Sequence, residues 1–273
     1  MSKLVGIVNV TPDSFSDGGK YAGRDAAIRA IGRLIEDGAD AIDIGAESTR
    51  PGATPVTPEE EWQRLAPVME YITSSFGPTE GSCADGDASL KAKDDVIFSI
   101  DTRHAQTARK ALAAGAHWIN DVSGFSDPAM VEAVKYSDCK LVVMHSLSVP
   151  ADTHVVLEDS ADVMQALLDF AQKRMGELAA AGIARARIIF DPGIGFGKTA
   201  AQSLLILQRI EELKQLGIPL LVGHSRKSCL GSLGKNRDDA TLAMSQTLAK
   251  AGVDYLRVHD VAAHRKMLGA QAA

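Results

Sequence analysis

The sequence is poor in the features that mark several large functional classes. Aromatic residues make up 5% of its 273 residues, too few for a platform on which single-stranded nucleic acid stacks. Basic excess is missing: the formal net charge is -6 at pH 7, which argues against a long polyanion as the main partner but leaves room for a small anion held by local cations. Cysteine is scarce. Cys83, Cys139 and Cys229 are far apart, odd in number and without a C-x-x-C pair, so neither a disulfide framework nor a zinc site is expected, and a reducing compartment suits them. No apolar run approaches the roughly 20 residues that span a bilayer. MSKLVGIVNV runs into a strand pattern without the regions of a secretory leader, so a soluble cytoplasmic protein is expected. H-E-x-x-H is absent, and DPGIGFGKT fails as a P-loop because Pro192 stands where the first glycine belongs.

What is present is an ordinary core-forming mixture, 45% hydrophobic and 23% charged. Short apolar runs alternate with helical patterns from end to end. Strands are expected at Leu4 to Val10, Ala41 to Gly45, Val96 to Asp101, His117 to Asp121, Lys140 to His145, Arg187 to Asp191, Pro219 to His224 and Asp254 to His259, mostly apolar on successive residues, as strands covered on both faces are. About eight strand–helix units without a linker predict one (β/α)8 TIM barrel over 1–273. The segment 77–95, GPTEGSCADGDASLKAKDD, lacks periodicity and reads as a polar insertion before the third strand. Loops Thr11 to Gly23 and Gly45 to Thr57 are long for such connections and suit lids over the barrel mouth.

A barrel builds its site at the C-terminal ends of its strands. Those ends carry Asn9, Asp101, Asn120, Met144, Asp191, and Arg257 with His259, while the second strand leads to Thr49 and Arg50 and the seventh to Ser225, Lys227 and Ser228. Each of Asp101, Asn120 and Asp191 alone serves equally as a helix N-cap; converging on one pocket, they read as a site. The cations and hydroxyls suit a diphosphate, and the glycines around Phe196 let backbone approach a flat ligand. Lys198 reads as a solvated charge, and His104, His117, His154 and His264 as surface or packing residues. No cluster of metal ligands is apparent, so any Mg2+ would be held largely by substrate oxygens, with Asn9 a sufficient protein ligand.

NVTPDSFSDGG, ESTRPG, SIDT, INDVSG, DPGIGFGKT, SRKS and LRVHD, in this order over nearly the whole chain, resemble dihydropteroate synthase, the folate-pathway enzyme targeted by sulfonamides. The resemblance implies condensation of 6-hydroxymethyl-7,8-dihydropterin diphosphate with 4-aminobenzoate. It places the pterin on Asp101, Asn120, Met144, Asp191, Phe196 and Lys227, and the diphosphate on Asn9, Thr49, Arg50, Ser225, Arg257 and His259, with Mg2+ on Asn9. Phe15, Pro51, Lys227 and Ser228 would meet the aminobenzoate, and Asp101, Lys227 and Arg257 would be catalytic. A homodimer through the last helices is implied too, with Ala243, Leu248 and Met267 offering apolar surface. The sequence departs from the family pattern at Ala46, at Ser146 to Ser148 and at His224. A pterin-binding methyltransferase and a silent paralogue are the competing readings. The first two loop motifs oppose the former, and the retained Arg50, Lys227, Arg257 and His259 the latter.

Overall fold

The computed structural model describes residues 1–11, 19–49, 52–76, 96–152, 154–158, 162–231 and 236–270. Eight parallel strands, β1 (Lys3–Asn9), β2 (Ala41–Gly45), β3 (Ile97–Asp101), β4 (Trp118–Asp121), β5 (Lys140–Met144), β6 (Ile188–Asp191), β7 (Leu221–Val222) and β8 (Tyr255–Val258), pair in chain order, and β8 pairs with β1. A parallel bridge from Phe190 to Leu220 joins β6 to β7 and completes the ring. Helices α1 (Gly19–Glu36), α2 (Pro58–Phe76), α3 (Ala105–Ala113), α4 (Pro128–Val134), α5 (Val163–Ala180), α6 (Ala200–Gln208), α7 (Arg237–Lys250) and α8 (Val261–Gly269) alternate with them.

Two expectations need correction. The loop after β1 ends earlier than expected, because α1 begins at Gly19. Strand β7 is two residues long, not six. Pro219 has no N–H to give, the Leu220 amide is taken by the Asp254 carboxylate at 2.8 Å, and beyond Val222 the chain turns, with Arg226 at φ 59°. The 77–95 insertion lies outside the described residues.

The period of two along each strand sets the site. Ladder partners on one level share a face, so Val5, Ala41, Ile97 and Tyr255 point into the barrel, as do Trp118, Val142, Ile189 and Leu221. They close its lower half as an apolar plug in which Trp118 meets Tyr255 edge-on at 5.0 Å. Two residues further along, the inward positions become Asp43, Ser99, Asn120, Asp191 and Arg257, and Asp101 and His259 follow. The outward positions pack on the helices in the main core. A face switching from apolar to polar within one strand is the plan of a barrel that closes below and binds above.

Leu248, expected on the outer surface, is fully buried in that core. The face of α7 formed by Ala240, Thr241, Met244, Ser245 and Leu248 points inward. Among the described residues no helix is long and apolar enough to cross a membrane.

Candidate active site

Asp43, which is not among the residues expected in the site, is the hub of the barrel mouth. Its Oδ1 accepts from Ser99 Oγ at 2.6 Å, and its Oδ2 accepts from Asn120 Nδ2 at 3.0 Å and from Arg257 Nε at 2.6 Å. Arg257 reaches on with Nη2 to donate to Asp101 Oδ2 at 3.0 Å. Four strands are joined by one planar guanidinium and two carboxylates, the bidentate work for which arginine is suited. The available signal was Asp43 itself, a charge inside AIDIG, a strand buried at every position; such a charge requires a partner.

Asp101, Asn120 and Asp191 are not helix caps. The N-caps of α3, α4 and α6 are His104, Asp127 and Thr199, and the turn after β4 is held by Asp121, which accepts from the Ser123 and Phe125 amides. The three expected pterin residues are thus free to serve the cavity. Because Asp43 can only accept, the Asn120 amide must turn its nitrogen toward it. Its Oδ1 is left buried without a partner, and such an acceptor costs about 1–3 kcal/mol until something donates to it.

Asp101 and Asp191 differ in proton affinity. Burial and the neighbouring Asp43 push Asp101 up to about 8 against the pull of Arg257. Burial also raises Asp191, to only about 6, because the Gly193 amide donates to it at 2.7 Å and Arg257, Lys227 and Lys198 attract its charge. At neutral pH Asp101 is thus protonated and Asp191 ionised, the separation from which acid and base roles are drawn.

One wall is the loop 191–199. Lys227 Nζ lies 4.5 Å from the centre of the half-buried Phe196 ring, a cation–π contact that sets both beside the mouth. Gly193 adopts φ +65°, and a Cβ there would stand 2.0 Å from the His145 carbonyl oxygen, so only glycine lets this loop lie on the end of β5. Lys198 is not the expected solvated charge. Its Nζ is buried 2.8 Å from His145 Nδ1 and donates to the carbonyls of Phe196 at 2.8 Å, Gly193 at 3.0 Å and His145 at 3.3 Å. Burial lowers its pKa to about 7, yet four acceptors occupy every proton of an ammonium, the form this geometry holds. Lys198→Met should loosen the wall, lowering stability by about 2 kcal/mol and dihydropterin affinity about ten-fold; denaturant unfolding and a binding titration read the two effects.

Next to this wall, beyond β7 and β8, Ser225 Oγ lies 2.8 Å from His259 Nδ1 and accepts from the His259 amide at 3.3 Å, bringing two of the expected diphosphate residues together. Asn9 ends β1 exposed, Met144 ends β5 buried, and Ser228 is exposed at the start of a 3-10 turn. Thr49 is half-buried, with its carbonyl accepting from the Ala151 amide at 3.2 Å. Phe15, Arg50 and Pro51 lie outside the described residues.

The loop after β2 has an anchor the sequence reading missed. Glu47 Oε1 accepts from the Val56 amide at 3.2 Å and from Arg103 Nη2 at 2.8 Å, Oε2 accepts from Arg103 Nε at 2.8 Å, and His104 Nε2 stands 3.5 Å away. His104 is therefore not a surface residue. Burial alone would raise Glu47, but the nearby His104 ring and the hydrogen bonds from Arg103 and the Val56 amide bring it down to about 2. A carboxylate held below its unfolded value stabilises the fold above pH ~4.5 and ceases to as pH falls toward 2. Glu47→Gln should thus cost about 2 kcal/mol at pH 7, with the gap to the unchanged protein closing between pH 4.5 and 2 in denaturant titrations.

Residues 5–79 and 88–259 match the family model for pterin binding enzymes. The chain belongs to the pterin-binding enzyme family. A type-3 dihydropteroate synthase of Escherichia coli is 38% identical over 96% of this chain and 95% of its own length. A probable bifunctional folylpolyglutamate synthase/dihydropteroate synthase of Halobacterium salinarum is 42% identical over 94% of this chain, which spans only 30% of that relative. The structure of Xanthomonas albilineans dihydropteroate synthase with 4-aminobenzoic acid superposes with a TM-score of 0.85 at 38% identity, covering 99% of this chain and 92% of that one.

Proposed function

We propose that this pterin-binding enzyme condenses 6-hydroxymethyl-7,8-dihydropterin diphosphate with 4-aminobenzoate, releasing 7,8-dihydropteroate and diphosphate. The observation that carries the reading is the buried, unpartnered Asn120 Oδ1 between Asp43 and the mouth. An aminopyrimidinone ring offers adjacent N–H donors and a carbonyl acceptor. Asn120 Oδ1 and the ionised Asp191 accept from the donors, and protonated Asp101 can donate to a ring nitrogen. Phe196 and Lys227 cover the flat face, with Met144 beside it.

The reaction breaks the bond from the pterin methylene carbon to the diphosphate oxygen and forms one from that carbon to the arylamine nitrogen, which then loses a proton. Positive charge developing on the methylene spreads into the ring, where Asp191 and Asp43 are placed to oppose it. Thr49, Arg50, Ser225, Arg257 and His259 receive the departing diphosphate, and Phe15, Pro51, Lys227 and Ser228 receive the aminobenzoate. No group of three or more His, Cys, Asp or Glu able to hold a metal occurs among the described residues. Asn9, an amide oxygen donor at the end of β1, fits an ion that takes its other oxygens from water and substrate. Mg2+ bound there would supply charge neutralisation on the diphosphate.

Binding separates this reading from a methyltransferase acting on methyltetrahydrofolate. In titration calorimetry the dihydropterin diphosphate should bind at least ten-fold more tightly than the same dihydropterin without its diphosphate. Equal affinity, or tight binding of methyltetrahydrofolate, would contradict the assignment.

A further inference from the structure

Behind the Ser225–His259 pair lies a buried polar chain that the condensation does not use. His224 and Ser245 are wholly buried and His264 nearly so. His224 Nε2 stands 2.7 Å from Ser245 Oγ, Ser245 Oγ 2.8 Å from His264 Nε2, and His264 Nδ1 2.5 Å from the Asp260 carbonyl oxygen. The chain starts one residue before Ser225 and ends one residue after His259, so the two members of the pair are bonded in front and braced behind. Ser225, His264 and Asp260 also line one cavity of about 150 Å³.

Proton counting gives the chain a direction. The Asp260 carbonyl can only accept, so His264 carries its proton on Nδ1 and leaves Nε2 bare. Ser245 must donate to that bare nitrogen, which spends its single proton, so His224 must donate to Ser245 from Nε2. That order leaves the bare His224 Nδ1 opposite the Val222 carbonyl at 3.3 Å with no hydrogen between them; the other neutral tautomer of His224 would satisfy this contact but leave a nitrogen and the Ser245 oxygen without a proton between them at 2.7–2.8 Å, the closer and costlier mismatch. Burial holds both rings neutral, lowering His264 and bringing His224 down to about 4, so no extra proton is at hand to reverse the order.

The backbone shows why such a brace is useful. Arg226 sits at φ 59°, a conformation costly for a side chain with Cβ. It is kept there by its amide donating to Thr241 Oγ1 at 2.9 Å, one helical turn before Ser245 on the same face of α7. α7 thereby grips both sides of Ser225.

We propose that His224, Ser245 and His264 are positioning residues, a one-way hydrogen-bond relay that holds Ser225 and His259 in place for the diphosphate. The proposal rests on the diphosphate reading above. Its test joins 15N NMR of the histidine rings in the unchanged protein with binding of inorganic diphosphate to Ser245→Ala, which cuts the relay by one oxygen atom. The relay requires opposite neutral tautomers, Nε2–H in His224 and Nδ1–H in His264. It also requires Ser245→Ala to bind diphosphate about ten-fold more weakly while a dihydropterin lacking diphosphate binds unchanged. Identical tautomers, unaltered diphosphate affinity, or an equal loss for both ligands overturns the relay alone. Unchanged protein that binds the dihydropterin but no diphosphate overturns the diphosphate reading and the relay with it.

Discussion

Arg257→Leu is expected to abolish useful activity and to weaken the fold together. The guanidinium bridges Asp43 and Asp101, and its removal leaves the Asp43 carboxylate without its cation and the Asp101 carboxyl without its donor inside the barrel mouth. Breaking a buried pair from one side costs about 3–5 kcal/mol, to be read as a lowered midpoint in urea. In the proposed reaction the same residue receives the departing diphosphate, so kcat/KM should fall by about 10²–10³-fold in protein that remains folded. The double variant Arg257→Leu/Asp43→Asn separates the two effects. Neutralising Asp43 removes most of the electrostatic cost, so stability should largely return while activity does not. Return of both would place Arg257 in the scaffold only.

Asn120→Leu should spare most of the stability and remove most of the pterin affinity. Leucine keeps the branched skeleton of asparagine, although it is bulkier, and Asp43 keeps Ser99 and Arg257 as donors. What disappears is the Oδ1 acceptor that nothing in the protein satisfies. Loss of one buried hydrogen bond to the ring, with the ring's donor then left unsatisfied, corresponds to about 2–3 kcal/mol or roughly a hundred-fold in Kd. Calorimetry with a dihydropterin reads it directly. An Asn120→Leu protein that binds the pterin as tightly as the unchanged one would mean that Oδ1 does not meet the ligand.

The architecture was legible in the sequence because it is written locally. Apolar runs bounded by turn signals gave the strands, and their polar ends gave Asp101, Asn120, Asp191 and Arg257, since a period of two turns alternate residues to one side. Strand β7 was overdrawn because its pairing is limited by Asp254, far along the chain, taking the Leu220 amide. Lys198 was read as a solvated charge, and Asp43 and Glu47 were given no role, for a related reason. Each draws its meaning from partners that only folding brings near, such as Arg257, 214 residues from Asp43. His224 stood out in the sequence as a departure from the family pattern, but its role depends on Ser245 and His264, which periodicity reads as ordinary helix positions.

The central claim is condensation, and the most direct measurement follows diphosphate release and dihydropteroate formation from 6-hydroxymethyl-7,8-dihydropterin diphosphate and Mg2+, with and without 4-aminobenzoate. The account predicts one dihydropteroate per diphosphate released, with release dependent on 4-aminobenzoate. Release at the same rate without the arylamine, or diphosphate without dihydropteroate, would contradict it.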